Sequence, residues 1–355
     1  MNDDDTSIAR LIRPIAINGT SLASSNVLET PPAAYNVGTA YSLGQQVSVF
    51  GGANNTTATM YESLQNSNTG HTPSSSPTWW QPIGTAYLAW SNATAYVVGA
   101  RVTDTVNHII YEAIQAGTNH PVTDPAYWLN IGPSNKWAMF DQKVGTQTIR
   151  PLSVAVSIQA TDRADSVSLF NVDAASVNIT VMDGATEVYN EDYSMVSESG
   201  IIDWFEYYFE PVVRKTELAV TDLPNVTAPL IKINATDGDN VAIGNCVVGL
   251  SRQLGWTLAG ASVGITDYSR KVQDDFGNYS ITERGFSRNA RFQIFMENSN
   301  VDFIHALLSQ YRATPVVIIG SSAYGSTHVY GLLKDWRIEI TYVYNSMMSL
   351  EIEGL

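Results

Sequence analysis

The chain has 355 residues, with 19 Lys and Arg against 34 Asp and Glu, and a formal net charge of −15. This charge argues against a nucleic-acid binder, which needs a basic face to neutralise phosphates, and against attachment to an anionic membrane surface. The length predicts about two or three domains of roughly 100–200 residues each. The low charged content and the many Ser, Thr, Asn, Gly and Tyr residues favour a β-rich protein with many turns.

Residues 1–30 are expected to form an N-terminal arm. The opening, MNDDDTSIARLIRPIAI, carries acidic residues where a signal peptide carries basic ones, and arginines interrupt its short apolar part, so we expect no secretion signal. No apolar run approaches the ~20 residues that a membrane span needs. We therefore expect a protein that is assembled in a cytoplasm and is not inserted into a membrane.

Two consecutive blocks, residues 31–84 and 85–132, end in nearly the same phrase, PTWWQPIG and PAYWLNIG. The matched residues keep their order while the offset between them falls from 55 to 48 residues, which indicates duplicated modules with inserted loops. The matched pairs are Tyr41 and Tyr96, Gly44 and Gly99, Val47 and Val102, Tyr61 and Tyr111, Glu62 and Glu112, Pro73 and Pro121, Trp80 and Trp128, Ile83 and Ile131, and Gly84 and Gly132.

Each module has two or three short β-runs and too little interior to be stable without large side chains. Aromatic residues are therefore expected to supply much of each core. These core candidates are Tyr41, Tyr61, Trp80, Tyr96, Tyr111 and Trp128. Adjacent side chains of an extended segment point to opposite faces. An inward Trp80 therefore predicts an outward Trp79, and an inward Trp128 predicts an outward Tyr127.

The pattern Tyr-x-x-Gly-x-x-Val, then Tyr-Glu, Pro and a terminal Trp resembles the chitin-binding type 3 modules of carbohydrate-binding families 5 and 12. The resemblance covers residues 34–84 and 90–132. It implies that exposed aromatic faces stack on sugar rings, and Trp79, Tyr127 and Trp90 are the candidates for this role. The first module departs from the pattern through its inserted loop, GGANNTTAT, and through the lack of a Trp at the position that matches Trp90.

Residues 133–250 contain about eight β patterns at roughly ten-residue spacing without a convincing helix, which predicts a β-sandwich of jelly-roll type. In SVNITV, the apolar Val177, Ile179 and Val181 alternate with polar residues. The single cysteine, Cys246, precedes two valines and is expected to be a small buried apolar side chain. The patterns are SVAVSIQA, SVSLF, SVNITVMD, TEVYNEDY, IDWFEYYFE, TELAV, APLIKINAT and NVAIGNCVVGL.

Residues 251–355 are predicted to form a small α+β domain with one helix on a sheet. Asn300 is a candidate N-cap for the segment VDFIHALLSQYRA, which Pro315 follows. Within this helix, one apolar face is expected from Ile304, Leu307, Leu308 and Tyr311. The final strand is predicted from the alternation of Met348, Leu350 and Ile352 with polar residues.

Segments from the whole chain resemble a family of tailed-bacteriophage virion proteins. These segments are LIRPIAINGTSLASSNV, NKWAMFDQKVGTQT, GITDYSRKVQDDFGNYSITERGFSRNARF and YGLLKDWRIEITYVYNSMMSLEIEGL. The resemblance runs nearly end to end. It implies a structural protein of the viral tail, at the tail tip, baseplate or fibre attachment site. Other tail proteins are the implied partners, and the chain is expected to form a symmetric homo-oligomer.

No motif for catalysis or for a cofactor is present: GxSxG, HExxH, the P-loop and the dinucleotide fingerprint are all missing. The histidines are scattered without metal-ligand spacing, and the loop residues His71 and His120 are expected to be solvated. ATDGDN, with Asp237 and Asp239, is expected to be a β-turn and not a calcium loop. The charged segment 267–278 is expected either to be solvated or to pair with a neighbouring subunit. No catalytic residue, metal ligand or cofactor is therefore assigned.

Three functions remain open. The favoured one is a virion component whose modules contact bacterial surface polysaccharide. The second is a tail assembly adaptor with modules that dock on protein, because exposed aromatic residues can bind protein as well as sugar. The third, least favoured, is a glycan-degrading enzyme, since the spacing of two catalytic carboxylates is a spatial property that sequence does not give.

Overall fold

The computed structural model describes residues 7–197, 203–209, 213–273, 276–341 and 343–355. In this part of the chain strands dominate, which confirms the prediction of a mainly β protein with a small C-terminal α+β part. Among the described residues, no helix combines the length and the apolar character needed to cross a membrane.

The N-terminal segment and the first module contribute five strands. These are β1 (Ile8–Pro14), β2 (Leu22–Ser25), β3 (Gln46–Gly51), β4 (Thr57–Ser63) and β5 (Trp80–Tyr87). Strands β3, β4 and β5 form a three-stranded antiparallel sheet of their own. Two 3-10 turns, Ala53–Asn55 and Pro73–Ser75, lie in the loops of this module.

The second module repeats this arrangement. Its strands are β6 (Ala95–Tyr96), β7 (Arg101–Asp104), β8 (Ile109–Ala113), β9 (Gly117–Thr118) and β10 (Trp128–Pro133). Strands β7, β8 and β10 form the three-stranded antiparallel sheet, and β6 pairs with β9. The structure therefore contains two small β modules in tandem.

The middle region adds eight strands and a short helix after the 3-10 turn Ala138–Phe140. They are β11 (Thr148–Gln159), β12 (Ser166–Asp173), β13 (Ser176–Asp183), β14 (Thr186–Ser194), β15 (Val196–Ser197), α1 (Trp204–Phe209), β16 (Val213–Arg214), β17 (Glu217–Val220) and β18 (Leu230–Thr257). Strand β13 shows the predicted alternation, because Val177, Ile179 and Val181 are fully buried.

Two predictions for this region are wrong. The segment IDWFEYYFE, predicted to be a strand, contains helix α1. The segment ATDGDN is not a β-turn but part of the 28-residue strand β18, and its Asp237 forms an ion pair with Arg214. Strand β11 pairs with β18 up to Thr236 and again from Asn240, and the register shift between Pro151 and Ser153 leaves Asp237, Gly238 and Asp239 as a bulge opposite β11.

The C-terminal region completes the fold with seven strands and the longer helix. They are β19 (Ser262–Asp267), β20 (Arg270–Gln273), β21 (Tyr279–Thr282), β22 (Phe286–Glu297), α2 (Val301–Gln310), β23 (Val316–Ile319), β24 (His328–Glu339) and β25 (Asn345–Gly354). Two further 3-10 turns, Asn298–Asn300 and Gly325–Thr327, precede α2 and β24. In β25, Met348, Leu350 and Ile352 are buried as predicted.

Helix α2 buries Ile304, Leu307 and Leu308, which confirms most of its predicted apolar face. Tyr311 lies just after the helix, where its hydroxyl accepts a hydrogen bond from Arg13 Nε at 3.1 Å. Asn300 occupies the N-cap position as predicted, but its side chain makes no capping hydrogen bond. Its backbone is helical, with φ −96° and ψ −7°, and lacks the extended conformation typical of a capping residue.

One 13-stranded sheet joins the middle and C-terminal regions. Its main path runs β14-β13-β18-β1-β23-β24-β25-β22-β19. Strand β18 pairs along its length with β11, β12, β13, β1 and β22, so the boundary predicted at 250/251 falls inside a continuous strand. The predicted arm, residues 1–30, supplies β1 and β2 to the same sheet.

Two large hydrophobic cores lie along this sheet. The first is built from β11, β12, β13 and β18 and includes Cys246, which is buried as predicted. Burial raises the pKa of its thiol to about 12. The second core lies between helix α2 and the strands β1 and β22 to β25. The sandwich character of the middle region follows from the burial of alternate residues on these strands.

Candidate functional site

The two modules have the same internal frame. In each one a buried tyrosine hydroxyl accepts a hydrogen bond from the backbone of the entry loop: Tyr41 from Asn36 N at 2.7 Å, and Tyr96 from Ser91 N at 2.8 Å. After each tyrosine comes a glycine with positive φ, Gly44 and Gly99, at +79° and +82°. Only glycine adopts this conformation without strain, which explains the Tyr-x-x-Gly spacing of the repeat.

The terminal tryptophans are the centre of each module core. Trp80 and Trp128 are 1% and 5% exposed. Their rings pack edge-on against the buried tyrosines, with centroid distances of 5.2 Å to Tyr41 and 5.1 Å to Tyr96. Edge-to-face contact at this distance is a favoured geometry for aromatic pairs.

Each tryptophan also fixes the loop that precedes its strand. Trp80 Nε1 donates to the carbonyl oxygen of His71 at 2.7 Å, and Trp128 Nε1 donates to that of His120 at 3.0 Å. The buried indole N–H groups are thereby satisfied. Because the bonds go to the histidine backbones, both histidines are held at the same place in their modules.

The histidine rings stack on the residues that precede the core tryptophans. The His71 and Trp79 ring centroids are 3.8 Å apart with planes 10° apart. The His120 and Tyr127 centroids are 3.4 Å apart, again with planes 10° apart. We call these pairs the first and second stack.

This arrangement differs from the predicted one. Trp79 and Tyr127 are half-buried, pack against their module cores, and have one ring face covered by a histidine. His71 and His120, expected to be solvated, are half-buried parts of the stacks. Alternation along the strand places Trp79 and Trp80 on different faces. It does not predict that the Trp80 N–H binds the His71 carbonyl oxygen, which brings the His71 ring over Trp79. The paired occurrence of histidine just before Pro73 and Pro121 is the sequence signal that could have indicated the stacks.

The two stacks are supported differently. In the first, His71 Nδ1 lies 3.0 Å from Asn68 Oδ1, and the buried Asn68 donates from Nδ2 to Ser63 Oγ at 2.9 Å and to the Trp79 carbonyl oxygen at 3.2 Å. In the second stack, Gly117 takes the place of Asn68. The two residues are equivalent because each forms the β-bridge to the buried tyrosine of its module, Asn68 to Tyr41 and Gly117 to Tyr96.

Gly117 is a steric requirement of the second stack. A Cβ atom at this position would lie 2.6 Å from His120 Cδ2 and 3.0 Å from Tyr127 Cε1. The nearest charged neighbour is Asp124, whose Oδ2 lies 3.9 Å from His120 Nδ1. The second stack is therefore packed against backbone, whereas the first is hydrogen-bonded to an amide.

The third predicted sugar-binding residue, Trp90, is half-buried against the core of the second module. Its backbone N–H donates to the Thr103 carbonyl oxygen, and the equivalent bond in the first module comes from Tyr35 to Ser48. Tyr35 therefore stands at the position of Trp90, so the first module keeps an aromatic ring where the sequence comparison of the repeats found none. The remaining core candidates, Tyr61 and Tyr111, are half-buried against their cores.

The chemistry of these surfaces is aromatic and weakly polar. Residues 31–132 contain one basic residue, Arg101, against four acidic ones. In the described part of the chain, no group of three or more His, Cys, Asp or Glu side chains is placed to hold a metal ion. The stacks offer flat apolar faces with nitrogen and oxygen atoms at their edges, which suits a neutral ligand with C–H faces and hydroxyl rims.

A separate cleft of about 920 Å³ opens in the large sheet between β12, β22 and β24. Its walls are mainly apolar, including Phe170, Phe286 and Tyr330, and an Arg288–Glu217 ion pair lies among them. Sequence patterns did not predict this cleft, because its lining combines β12 with β22 and β24, which follow more than 100 residues later in the chain.

No protein-family model matches the chain, and no curated protein matches it.

Proposed function

We propose that this chain is a structural protein of a tailed-phage virion and that its two N-terminal modules contact neutral glycan on the host surface. The observation that carries the proposal is the duplicated stack: His71 on Trp79, and His120 on Tyr127, at equivalent places. Each core is centred on a buried tryptophan and tyrosine, so repetition of a second, half-buried aromatic pair beside both cores supports a function for that pair.

The geometry suits sugar contact. A pyranose ring presents a face of C–H bonds that packs on a flat aromatic ring, while its hydroxyl groups seek donors and acceptors at the rim. The indole N–H groups of Trp80 and Trp128 hold the histidine backbones in place, and the stacked rings restrict each other, so little side-chain entropy is lost on binding. The scarcity of cations in residues 31–132 favours a neutral glycan over an anionic one.

Two modules in one chain, and several chains in one particle, suit a weak individual site. When sites are linked, the second contact becomes intramolecular, and avidity can exceed single-site affinity by about 10²–10⁴. The proposed location is the viral tail, with assembly in the host cytoplasm, and the proposed partners are other tail proteins and bacterial surface polysaccharide. No catalytic role is assigned.

The test is binding of the full chain to surfaces carrying neutral bacterial glycans and chitin oligomers at high density. Trp79→Ala and Tyr127→Ala are compared singly and together, with Tyr324→Ala as the control because Tyr324 is exposed and lies outside the modules. Each single variant is expected to lower apparent affinity about tenfold through lost avidity, and the double variant to abolish binding. Unchanged binding in the double variant contradicts the proposal.

The second candidate is a pure tail assembly adaptor whose modules dock on protein and bind no sugar. The observation that favours it is that a histidine covers one face of both Trp79 and Tyr127, which leaves less open ring than a bare platform. Phage particles carrying the double variant separate the two functions. Normal particles that fail to adsorb to the host support glycan contact, whereas failure of assembly supports the adaptor.

A further inference from the structure

The 13-stranded sheet is open and branched: its main path ends in two unlike edge strands, β14 and β19, and its side branches end in the four-residue strands β2 and β17. Among the described residues, β14 pairs only with β13, and β19 pairs only with β22. An edge strand carries a row of backbone N–H and C=O groups without sheet partners, which is a template for another strand. We call β14 the acidic edge and β19 the apolar edge.

The acidic edge carries Glu187, Glu191 and Asp192, all exposed, and no basic residue. No cation of the described chain lies within ion-pair distance of these three carboxylates. The surrounding segment, residues 151–200, contains eight acidic residues and one basic residue. Pairing of two acidic edges with each other would oppose like charges directly, which is destabilising.

The apolar edge has few of the features that protect natural edges, and its one charged residue, Asp267, lies at its end. All six residues of β19 are exposed, with Val263 and Ile265 at 46% and 62%, and the strand has no proline, no lysine and a regular register with β22. Val263 pairs with Ala290, whose side chain belongs to the core beneath α2. The core face of the sheet therefore continues onto β19 without a cover.

The sequence around the apolar edge is less acidic than that around the acidic edge. Residues 251–300 contain six basic residues against five acidic ones, whereas residues 151–200 contain one against eight. Arg291, on the strand beside β19, is exposed and lies opposite Ser262. A partner for this edge should therefore offer an unpaired strand with acidic side chains.

We propose that the occupant of the apolar edge is the acidic edge of a second copy of this chain, so that β19 of one molecule pairs with β14 of the next. Val263 and Ile265 lie at alternate positions of β19, as Tyr189 and Tyr193 do on β14, and cross-strand contacts between β-branched and aromatic side chains are of a favourable type. Ten residues beyond β14, α1 exposes Phe205 and Phe209 at 69% and 72%, which adds apolar surface on the same part of the chain.

This contact is heterologous: it uses different surfaces of the two molecules, so every bound copy leaves one acidic and one apolar edge free. Such contacts either close into a ring or extend into a filament. Self-association through these edges does not depend on glycan binding by the modules.

The experiment measures the mass of the full chain in solution over a range of protein concentrations. The wild type is expected to form species of two or more chains. Ile265→Lys blocks the apolar edge, and Glu187→Lys with Glu191→Lys reverses the acidic edge; each variant is expected to be monomeric. Asp162→Lys with Asp239→Lys is the matched control, since it makes the same charge change at exposed positions outside β14 and is expected to associate like the wild type.

Mixing the two monomeric variants is the decisive step. Each retains the edge that the other lacks, so the mixture is expected to form a species of twice the chain mass that does not grow further. Circular dichroism of each variant shows whether it is folded. A monomeric wild type, normal association of the acidic-edge variant, or no dimer in a mixture of folded variants would each overturn the proposal; the second of these results would indicate symmetric pairing of two apolar edges.

Discussion

At the scale of single residues, the second stack depends on the absence of a side chain at Gly117. A Cβ atom there would meet the ring of His120, which is the mobile end of a side chain, so alanine can be accommodated if the ring moves. We predict that Gly117→Ala displaces the His120 ring from Tyr127. The free energy of unfolding is expected to fall by less than the ~1–3 kcal/mol that is usual for overpacking a rigid core.

NMR measures this displacement directly. Because the His120 ring lies over the Tyr127 ring, its protons are expected to be shifted upfield in the wild type, and this shift is expected to disappear in Gly117→Ala. Gly19→Ala is the control, because a Cβ atom at Gly19 meets no atom within 4 Å. An unchanged His120 shift in Gly117→Ala would mean that the stack does not need the glycine.

His328 provides a pH-dependent contribution to stability. Burial lowers its pKa, Arg288 lowers it further, and a hydrogen bond to the Ser321 carbonyl oxygen partly opposes both effects. As the pH falls below about 6.5, the usual pKa of a histidine, the unfolded chain therefore binds a proton at His328 more readily than the native chain does. This contribution is present above about pH 6.5 and is lost as the pH falls toward the lower folded-state pKa.

We predict that His328→Gln flattens the pH dependence of stability between about pH 7 and pH 5, where a single histidine contributes up to about 1.4 kcal/mol per pH unit. The measurement is the free energy of unfolding in urea at several pH values. His305→Gln serves as the control, since His305 is exposed on α2. Equal slopes for His328→Gln and the wild type would contradict the prediction.

Sequence reasoning at this scale succeeds where the rule is local. The period of two along an extended segment assigns Trp80 inward and separates it from Trp79. The stack on Trp79 is different, because it depends on a hydrogen bond from Trp80 to a backbone nine residues earlier. The position of that loop is set by tertiary packing, and nothing in the periodicity of the strand encodes it.

At the scale of elements, β18 holds the large sheet together, and its close contact with β1 requires glycine. A Cβ atom at Gly249 would lie 2.1 Å from the Arg13 carbonyl oxygen and 2.9 Å from Ile12 Cγ2. The Arg13 carbonyl oxygen belongs to the backbone of a central strand and cannot move aside as the His120 ring near Gly117 can. We predict that Gly249→Ala lowers the free energy of unfolding by at least about 1–3 kcal/mol, because β1 must move away from β18.

Gly238→Ala is the matched control for Gly249→Ala. It lies in the same strand, and a Cβ atom there meets nothing within 4 Å. Denaturant unfolding is expected to give a large decrease for Gly249→Ala and a small change for Gly238→Ala. Similar values for the two variants would show that the β1–β18 contact does not limit stability.

The elements of the middle region illustrate which predictions the sequence supports. The apolar alternation that predicts β13 and β25 is confirmed by burial of alternate residues. ATDGDN has turn composition, yet it forms a bulge within a strand, because β11 pairs with β18 before it, up to Thr236, and after it, from Asn240. Propensity is a weak preference that tertiary pairing overrides, so the strand crosses both a predicted turn and a predicted domain boundary.

At the scale of the whole molecule, polar contacts tie the modules to the large sheet. Glu62 of the first module forms an ion pair with Arg150 of β11 at 2.6 Å. For the second module, the Glu29 carboxylate accepts from His108 Nδ1 at 2.8 Å, Ser134 Oγ at 3.2 Å and Trp137 Nε1 at 3.1 Å. These contacts set the orientation in which the two stacks are presented.

Glu29 is the common acceptor at this joint, and its replacement leaves three donors without their partner. An unpaired buried donor costs about 1–3 kcal/mol, and the Trp137 N–H is such a group because Trp137 is buried. We predict that Glu29→Ala opens the joint between the second module and the sheet while the module, with its own core around Trp128, stays folded. Amide exchange is expected to accelerate in residues 133–140 and to stay unchanged in β8.

Glu283→Ala is the control, because Glu283 is exposed. Equal exchange in the Glu29→Ala and Glu283→Ala variants would mean that packing of Trp137 on His108 holds the joint without the Glu29 carboxylate.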